Sequence, residues 1–204
     1  MSNNLDKIFY INLDKRTDRR IEIEDELQQY NLYDNAERFP AIYTPEQGIL
    51  GCTMSHLAVI KLAKERKYKQ VLILEDDFYF IIPKEEFENE LTTFFESNIR
   101  YDICMISYNI IKSIPTEYPF LQKIIEAQTA SGYMIHQSLY DTLIKVLEDA
   151  VEPLRETQQH WIYANDQIWK NIQPQTNWYA LTNRCGKQRD GFSDNSNRYQ
   201  EYDC

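Results

Sequence analysis

Apolar residues along this chain follow two spacings. Ile8-Phe9-Tyr10-Ile11-Asn12-Leu13 and Val71-Leu72-Ile73-Leu74 are short, nearly unbroken apolar runs, the pattern of strands buried on both faces of a mostly parallel sheet. Other apolar residues recur at helical intervals: Ile23, Leu27 and Tyr30; Ala58, Val59, Leu62 and Ala63; Phe87, Leu91, Phe94 and Phe95; Leu139, Leu143, Ile144 and Leu147. Asp14-Lys15-Arg16-Thr17 is a polar turn into the first of these helices, Thr53 is placed to cap the second, and Ser138-Leu139-Tyr140-Asp141 resembles a capping box before the fourth. Ile103-Cys104-Met105-Ile106-Ser107 and the segment from Thr129 to Ile135 read as further strands. Strands alternating with helices predict an α/β fold, a central, mostly parallel sheet with helices on both faces. The length of 204 residues suits a single domain. No internal repeat or low-complexity linker interrupts it. From about residue 184, glycines and polar groups replace the periodic pattern, predicting a loop-rich segment or flexible tail.

Glu75-Asp76-Asp77 follows the Val71 run directly. Sheets of this kind bind ligands beyond the carboxyl ends of their strands. Three acids crowded there repel one another, and oxygen ligands suit a hard divalent cation, Mn2+ or Mg2+. A run of acids elsewhere would read as a solvated loop; the buried strand before it points to a site for a phosphate-bearing substrate. In the polar turn after the first strand, backbone amides, Lys15, Arg16 and Arg19 are placed to meet a nucleotide, although the same turn also reads as an ordinary helix start.

Charge and composition narrow the partners. There are 22 Lys+Arg against 32 Asp+Glu, a net charge of -10, which argues against nucleic acid or an anionic membrane as the main partner. Cys52, Cys104, Cys185 and Cys204 lack metal-ligand spacing and read as reduced thiols. No signal-peptide core and no apolar run long enough for a membrane span are visible, so a soluble, cytoplasmic chain is expected. His136 and His160 have no metal-spaced companions and read as core or surface residues.

The residues also resemble a known family. Tyr10-Ile11-Asn12-Leu13-Asp14-Lys15-Arg16-Thr17-Asp18-Arg19, Gly51-Cys52-Thr53-Met54-Ser55-His56, Leu72-Ile73-Leu74-Glu75-Asp76-Asp77, Gly132-Tyr133, Asp166 before an apolar helix, and Ser193-Asp194 occur in the order found in glycosyltransferase family 25. That group includes lipopolysaccharide and procollagen galactosyltransferases. The resemblance implies a GT-A-type nucleotide-diphospho-sugar transferase fold, with Mn2+ or Mg2+ at the donor site and UDP-galactose or UDP-glucose as donor. The acceptor would be a glycan, a lipid-linked sugar or a hydroxylated protein side chain. By the same resemblance Asp77 is the direct metal ligand, with Glu75 and Asp194 beside it. Asn12, Asp14, Arg16, Arg19, Ser55, His56, Glu75, Asp76, Gln188 and Ser193 face the donor, with His56 in a helix's first turn, where a buried structural histidine is the other reading. Asp166 faces the acceptor as general base, which implies inversion at the anomeric carbon. The chain departs from the family where many members have Gly-Glu-Ile-Gly-Cys: it has Gly48-Ile49-Leu50-Gly51-Cys52, without the carboxylate. A binding protein that kept the fold and lost turnover is therefore the competing reading.

Overall fold

In the computed structural model, which describes residues 4–194 and 198–203, the apolar runs form the middle of a sheet. The elements in chain order are β1 (Lys7–Asn12), α1 (Thr17–Gln29), β2 (Ala36–Pro40), α2 (Gly48–Glu65), β3 (Gln70–Glu75), β4 (Phe78–Phe80) and α3 (Lys84–Glu96), then β5 (Ile103–Met105), β6 (Asn109–Pro115), β7 (Leu121–Gln128), β8 (Gly132–His136) and α4 (Tyr140–Thr157). The single-turn helices α5 (His160–Tyr163) and α6 (Asn165–Ile168) follow, then β9 (Trp178–Leu181), β10 (Gly186–Gln188), β11 (Gly191–Ser193) and β12 (Arg198–Gln200). Of the residues read from sequence, Met1 to Asn3 and Cys204 lie outside the described set. Cys52, Cys104 and Cys185 are free thiols.

Eight strands pair in the order β2-β1-β3-β8-β5-β9-β7-β6. Six run one way, and β8 and β7 run against them. The sheet is thus mostly parallel in strand direction, as expected, with two reversals that the hydrophobic pattern did not reveal. Alternation assigns the side chains to faces. Ile8, Tyr10, Leu72 and Leu74 pack with Ile23 and Leu27 of α1 and Phe87, Leu91 and Phe94 of α3. Phe9, Ile11, Val71 and Ile73 pack on the other side with Val59, Ile60 and Ala63 of α2 and Leu143 and Leu147 of α4. Both faces are covered, which is why the strand sequences are apolar at successive positions. Among the described residues, no helix is long and apolar enough to cross a membrane.

Three helix expectations are corrected. Thr53 does not cap α2, which begins at Gly48 despite the poor helix propensity of Gly48 and Gly51 and buries Leu50 in its first turn. The Thr53 hydroxyl instead accepts from the Asn165 amide at 3.2 Å and tethers α6 to α2. Ser138 lies in a short turn before α4, and its hydroxyl donates to Asp102 rather than capping the helix. The helix expected after Asp166 lasts one turn and continues as tighter turns, the last of which carries Pro174 near its start.

Gly51 sets how closely α2 approaches the segment after β2. A Cβ there would fall 2.4 Å from the Ile42 carbonyl oxygen and 2.6 Å from Thr44 Oγ1. Next to this contact the Ser55 hydroxyl accepts from the Ile42 amide and donates to the Gly51 carbonyl. Gly51→Ala should destabilise the protein by about 1–3 kcal/mol through overpacking. Thermal unfolding measures this, and an unchanged melting temperature would mean that the helix can retreat.

Candidate active site

β1 and β3 are parallel neighbours in which Ile11 is level with Glu75, so Asn12 and the acids after Glu75 emerge at the same end of the sheet. There Asn12 Nδ2 donates to Asp76 Oδ2 at 2.7 Å and to the Arg16 carbonyl at 3.0 Å, tying the acid turn to the turn after β1. Arg19, in the first turn of α1, reaches Asp76 Oδ1 and Asp77 Oδ2, both at 3.1 Å.

The segment expected to be a loose tail crosses over these acids. β10 pairs antiparallel with β4, opposing Gln188 to Phe78, and the Arg189 amide donates to the Asp77 carbonyl. β11 and β12 pair antiparallel, and the Phe192 carbonyl of β11 accepts from Arg19 and Arg16. Asp194 is held by Lys15 at 2.7 Å and Arg16 at 2.6 Å. These short strands carry too few residues for a readable period, and their order comes from backbone pairing and ion pairs with distant parts of the chain.

Glu75 has a different set of neighbours. Its Oε1 lies 2.9 Å from His56 Nε2 and 3.5 Å from the Cys52 thiol, while His56 Nδ1 lies 2.9 Å from the Tyr133 hydroxyl. Burial pushes the Glu75 carboxyl up, but His56, Cys52 and Arg19 together outweigh it and hold Glu75 below the ordinary glutamate range. An ionised carboxylate only accepts, so the proton at Nε2 points to Glu75. Burial keeps the Tyr133 hydroxyl protonated, and burial followed by the Glu75 charge keeps Cys52 a thiol rather than a nucleophilic thiolate.

Asp77 carries the unbalanced charge. Burial first, then Glu75 and Asp76, push its carboxyl up to about 7 against the pull of Arg19. Asp76 is raised by burial as well. Asp77 Oδ1 is buried without a hydrogen-bond partner among the described residues. An orphaned, hard oxygen beside excess negative charge fits a divalent cation. A softer grouping stands beside it: Cys52, His56 and Glu75 have donor atoms within 4.8 Å of one another. Among the described residues Glu75, Asp77 and Asp194 do not form such a group; Asp194 is occupied by its two cations.

Two cavities meet at Glu75. The first, about 480 Å³, is lined by Leu13, Lys15, Arg19, Tyr43, Thr44 and the three acids among others. The second, about 510 Å³, is lined by Thr129, Trp161, Asn165, Asp166 and Gln167 among others. Cys52, Glu75, Gln188, Ser193 and Tyr202 line both. Asp166 accepts from the Thr129 amide at 3.1 Å and the Gln167 side chain at 3.2 Å; burial raises its carboxyl, the Glu75 charge adding to the effect.

The expected site residues therefore separate by position. Arg19, Ser55, His56, Glu75, Asp76, Asp77, Gln188, Ser193 and Asp194 line the first cavity, and Asp166 lines the second. Asn12 is buried and braces Asp76 and Arg38. Asp14 faces solvent and pairs with Arg38, outside both cavities. Arg16 pairs with Asp18 and Asp194 and lines neither cavity. Ser55 and His56 sit within α2, not in its first turn, and their polar atoms are taken up by protein partners. Sequence reasoning missed Cys52 beside Glu75, although it lies one helical turn before His56. Tyr133 appeared only as a motif member, and Tyr202 carried no signal.

Comparison with known proteins agrees with the sequence resemblance. A solved glycosyltransferase involved in the glycosylation of the major capsid of PBCV-1 superposes with a TM-score of 0.58 at 12% identity, over 92% of this chain and 93% of that one. A197 from STIV aligns with a TM-score of 0.47 at 12% identity, over 96% and 93% of the two chains. At such identities the first likeness is one of fold, the GT-A-like nucleotide-sugar transferase architecture. No curated protein matches the chain. The sequence profile of glycosyltransferase family 25 (LPS biosynthesis protein) matches residues 46–168, more than half of the chain from the start of α2 through β3 and its acids to α6, and the chain belongs to that family.

Proposed function

We propose that this glycosyltransferase moves a hexose, galactose or glucose, from a UDP-sugar in the first cavity to an acceptor hydroxyl in the second, with inversion at the anomeric carbon. The observation that carries the reading is the arrangement around Glu75: a cavity with cations and acids on one side, a cavity with a basic carboxylate on the other. The nucleotide lies near Lys15, Arg19, Gln188 and Ser193, where charge-assisted contacts take up its phosphates. Tyr43 and Leu13 offer a face to the base. Asn12, Arg16, Asp76 and His56 act indirectly, since their polar atoms brace the turn, the hairpin and Glu75.

Mn2+ or Mg2+ would be held by Asp77, with Glu75 beside it, and would supply charge neutralisation for the departing diphosphate. Arg19 already balances part of the negative charge at Asp76 and Asp77. The residues' own contribution to the transfer is on the acceptor side. Asp166, its basicity raised by burial, accepts the proton of the attacking hydroxyl at a carboxylate oxygen. The Thr129 amide and Gln167 hold it in place.

Release of UDP from a panel of UDP-sugars, measured with Mn2+ and an acceptor mixture, tests the reading. Turnover should fall to background with EDTA and return with Mn2+. Saturable UDP binding without release from any donor would favour a binding protein of the same fold.

A further inference from the structure

Cys52 and His56 stand four residues apart on α2, so both project from one side of the helix, toward the last residue of β3. Their donor atoms and the Glu75 carboxylate lie within 4.8 Å of one another. His56 Nε2 at 2.9 Å and Cys52 Sγ at 3.5 Å approach the same oxygen, Glu75 Oε1. Sulfur, imidazole nitrogen and carboxylate oxygen make a donor set that suits Zn2+ far better than Mn2+ or Mg2+. Asp77, close by, offers only hard oxygen, so two neighbouring positions differ in the cation that they suit.

The spacing is near that of a tetrahedral site. Bonds of about 2.0–2.3 Å would set adjacent donor atoms roughly 3.3–3.6 Å apart. Cys52 Sγ already stands at that separation from Glu75 Oε1, and His56 Nε2 is slightly inside it. His56 also has the outer support of a metal-bound imidazole: with Nε2 on a cation the ring proton sits at Nδ1, 2.9 Å from the Tyr133 hydroxyl, which can accept it. Tyr133 is 1% exposed and stands edge-on to Trp169, at 5.6 Å between centroids and 89°. The other Glu75 oxygen, Oε2, accepts from Gln188 at 3.5 Å, so Oε1 alone serves the group. Cys52 and Glu75 line both cavities, which gives a cation its path from solvent.

We propose that Cys52, His56 and Glu75 form a tetrahedral Zn2+ site, distinct from the hard-cation position at Asp77, with its fourth coordination position open to the two cavities. Zn2+ enters as Cys52 gives up its thiol proton to solvent. The site stands without the transferase reading, but its consequence rests on it. Zn2+ inhibits transfer, because it draws Glu75 away from the cation at Asp77 and places a charge where the two cavities meet.

Co2+, which takes the same ligands and is coloured, is the probe. Added to the whole protein, reduced and free of metal, it should give thiolate-to-cobalt charge transfer in the near ultraviolet with tetrahedral bands in the visible. Zn2+ should abolish these bands and Mn2+ at the same concentration should not. Cys52→Ser should lose the charge transfer with an unchanged far-ultraviolet circular dichroism spectrum; it keeps the buried Cys104 and Cys185, which are thereby excluded as the source of the sulfur. Tyr133→Phe, which keeps the ring, should bind Co2+ about tenfold more weakly. The proposal is overturned if the parent shows no charge transfer, if the band survives Cys52→Ser, if Mn2+ displaces Co2+ as readily as Zn2+ does, or if Tyr133→Phe binds Co2+ as tightly as the parent. UDP release measured with Mn2+ should fall as Zn2+ is added, and undiminished release at saturating Zn2+ would overturn the inhibition. Charge transfer in a protein that releases no UDP from any donor would keep the zinc site and remove the transferase; release without the band would do the reverse.

Discussion

Asp166→Asn should lower transfer by on the order of 10²–10⁴-fold, the usual contribution of a positioned general base, while UDP and Mn2+ bind as in the parent protein. Asparagine keeps the shape and can still accept from the Thr129 amide, so the fold around α6 is preserved. What disappears is an oxygen able to take a proton. The raised carboxyl of Asp166 also sets a pH signature. The base works only when ionised, so turnover should rise with pH through a midpoint above the ordinary aspartate value, and the substitution should abolish that rise. Single-turnover rates and calorimetric titration with UDP separate the two effects. An equal loss of UDP binding and turnover would show that Asp166 supports the structure rather than the reaction.

Asp77→Asn should have the other large effect, of opposite sign in the metal-free and metal-bound protein. The folded-state value of about 7 lies above the ordinary aspartate value. The folded protein therefore holds a proton that the unfolded chain has released, and stability from this group is lost as pH rises from about 4 to about 7. Without metal, Asp77→Asn should melt higher than the parent at pH 8 and equally at pH 4. With Mn2+ and UDP at about a hundred times their dissociation constant, the parent should gain about 2.7 kcal/mol, or roughly 5–10 °C in a chain of this size. The variant should lose nearly all of that gain. Melting curves at the two pH values, with and without Mn2+ and UDP, read both effects. A variant stabilised by Mn2+ as much as the parent would move the cation to the softer group of Cys52, His56 and Glu75.

The missing loop carboxylate takes on meaning from its location. Ile49 stands where many family members carry an acid, and it lines the second cavity, not the first. The departure therefore falls on the side proposed for the acceptor and leaves the cations and acids of the first cavity intact. The tryptophans had no such address in the sequence. Of the three tryptophans, two are core residues and the third is the exposed one at the rim.

The chain's local chemistry determined a good deal by itself. Two apolar runs buried on both faces could only be interior strands, so Glu75-Asp76-Asp77 had to emerge at a strand end, and the polar turn after β1 had to emerge beside it. The period of the helices fixed which faces they bury. Tertiary structure alone decided the reversal of β8 and β7, the fold of the last segment over the acids, and the division of the cleft into two cavities. Three-residue strands such as β4 and β10 have no period to read, and their positions follow from backbone pairing between residues a hundred or so apart in sequence. The same holds for His56 on Glu75 and Thr53 on Asn165: each side chain is ordinary in its own helix and acquires its role from the partner that folding brings to it.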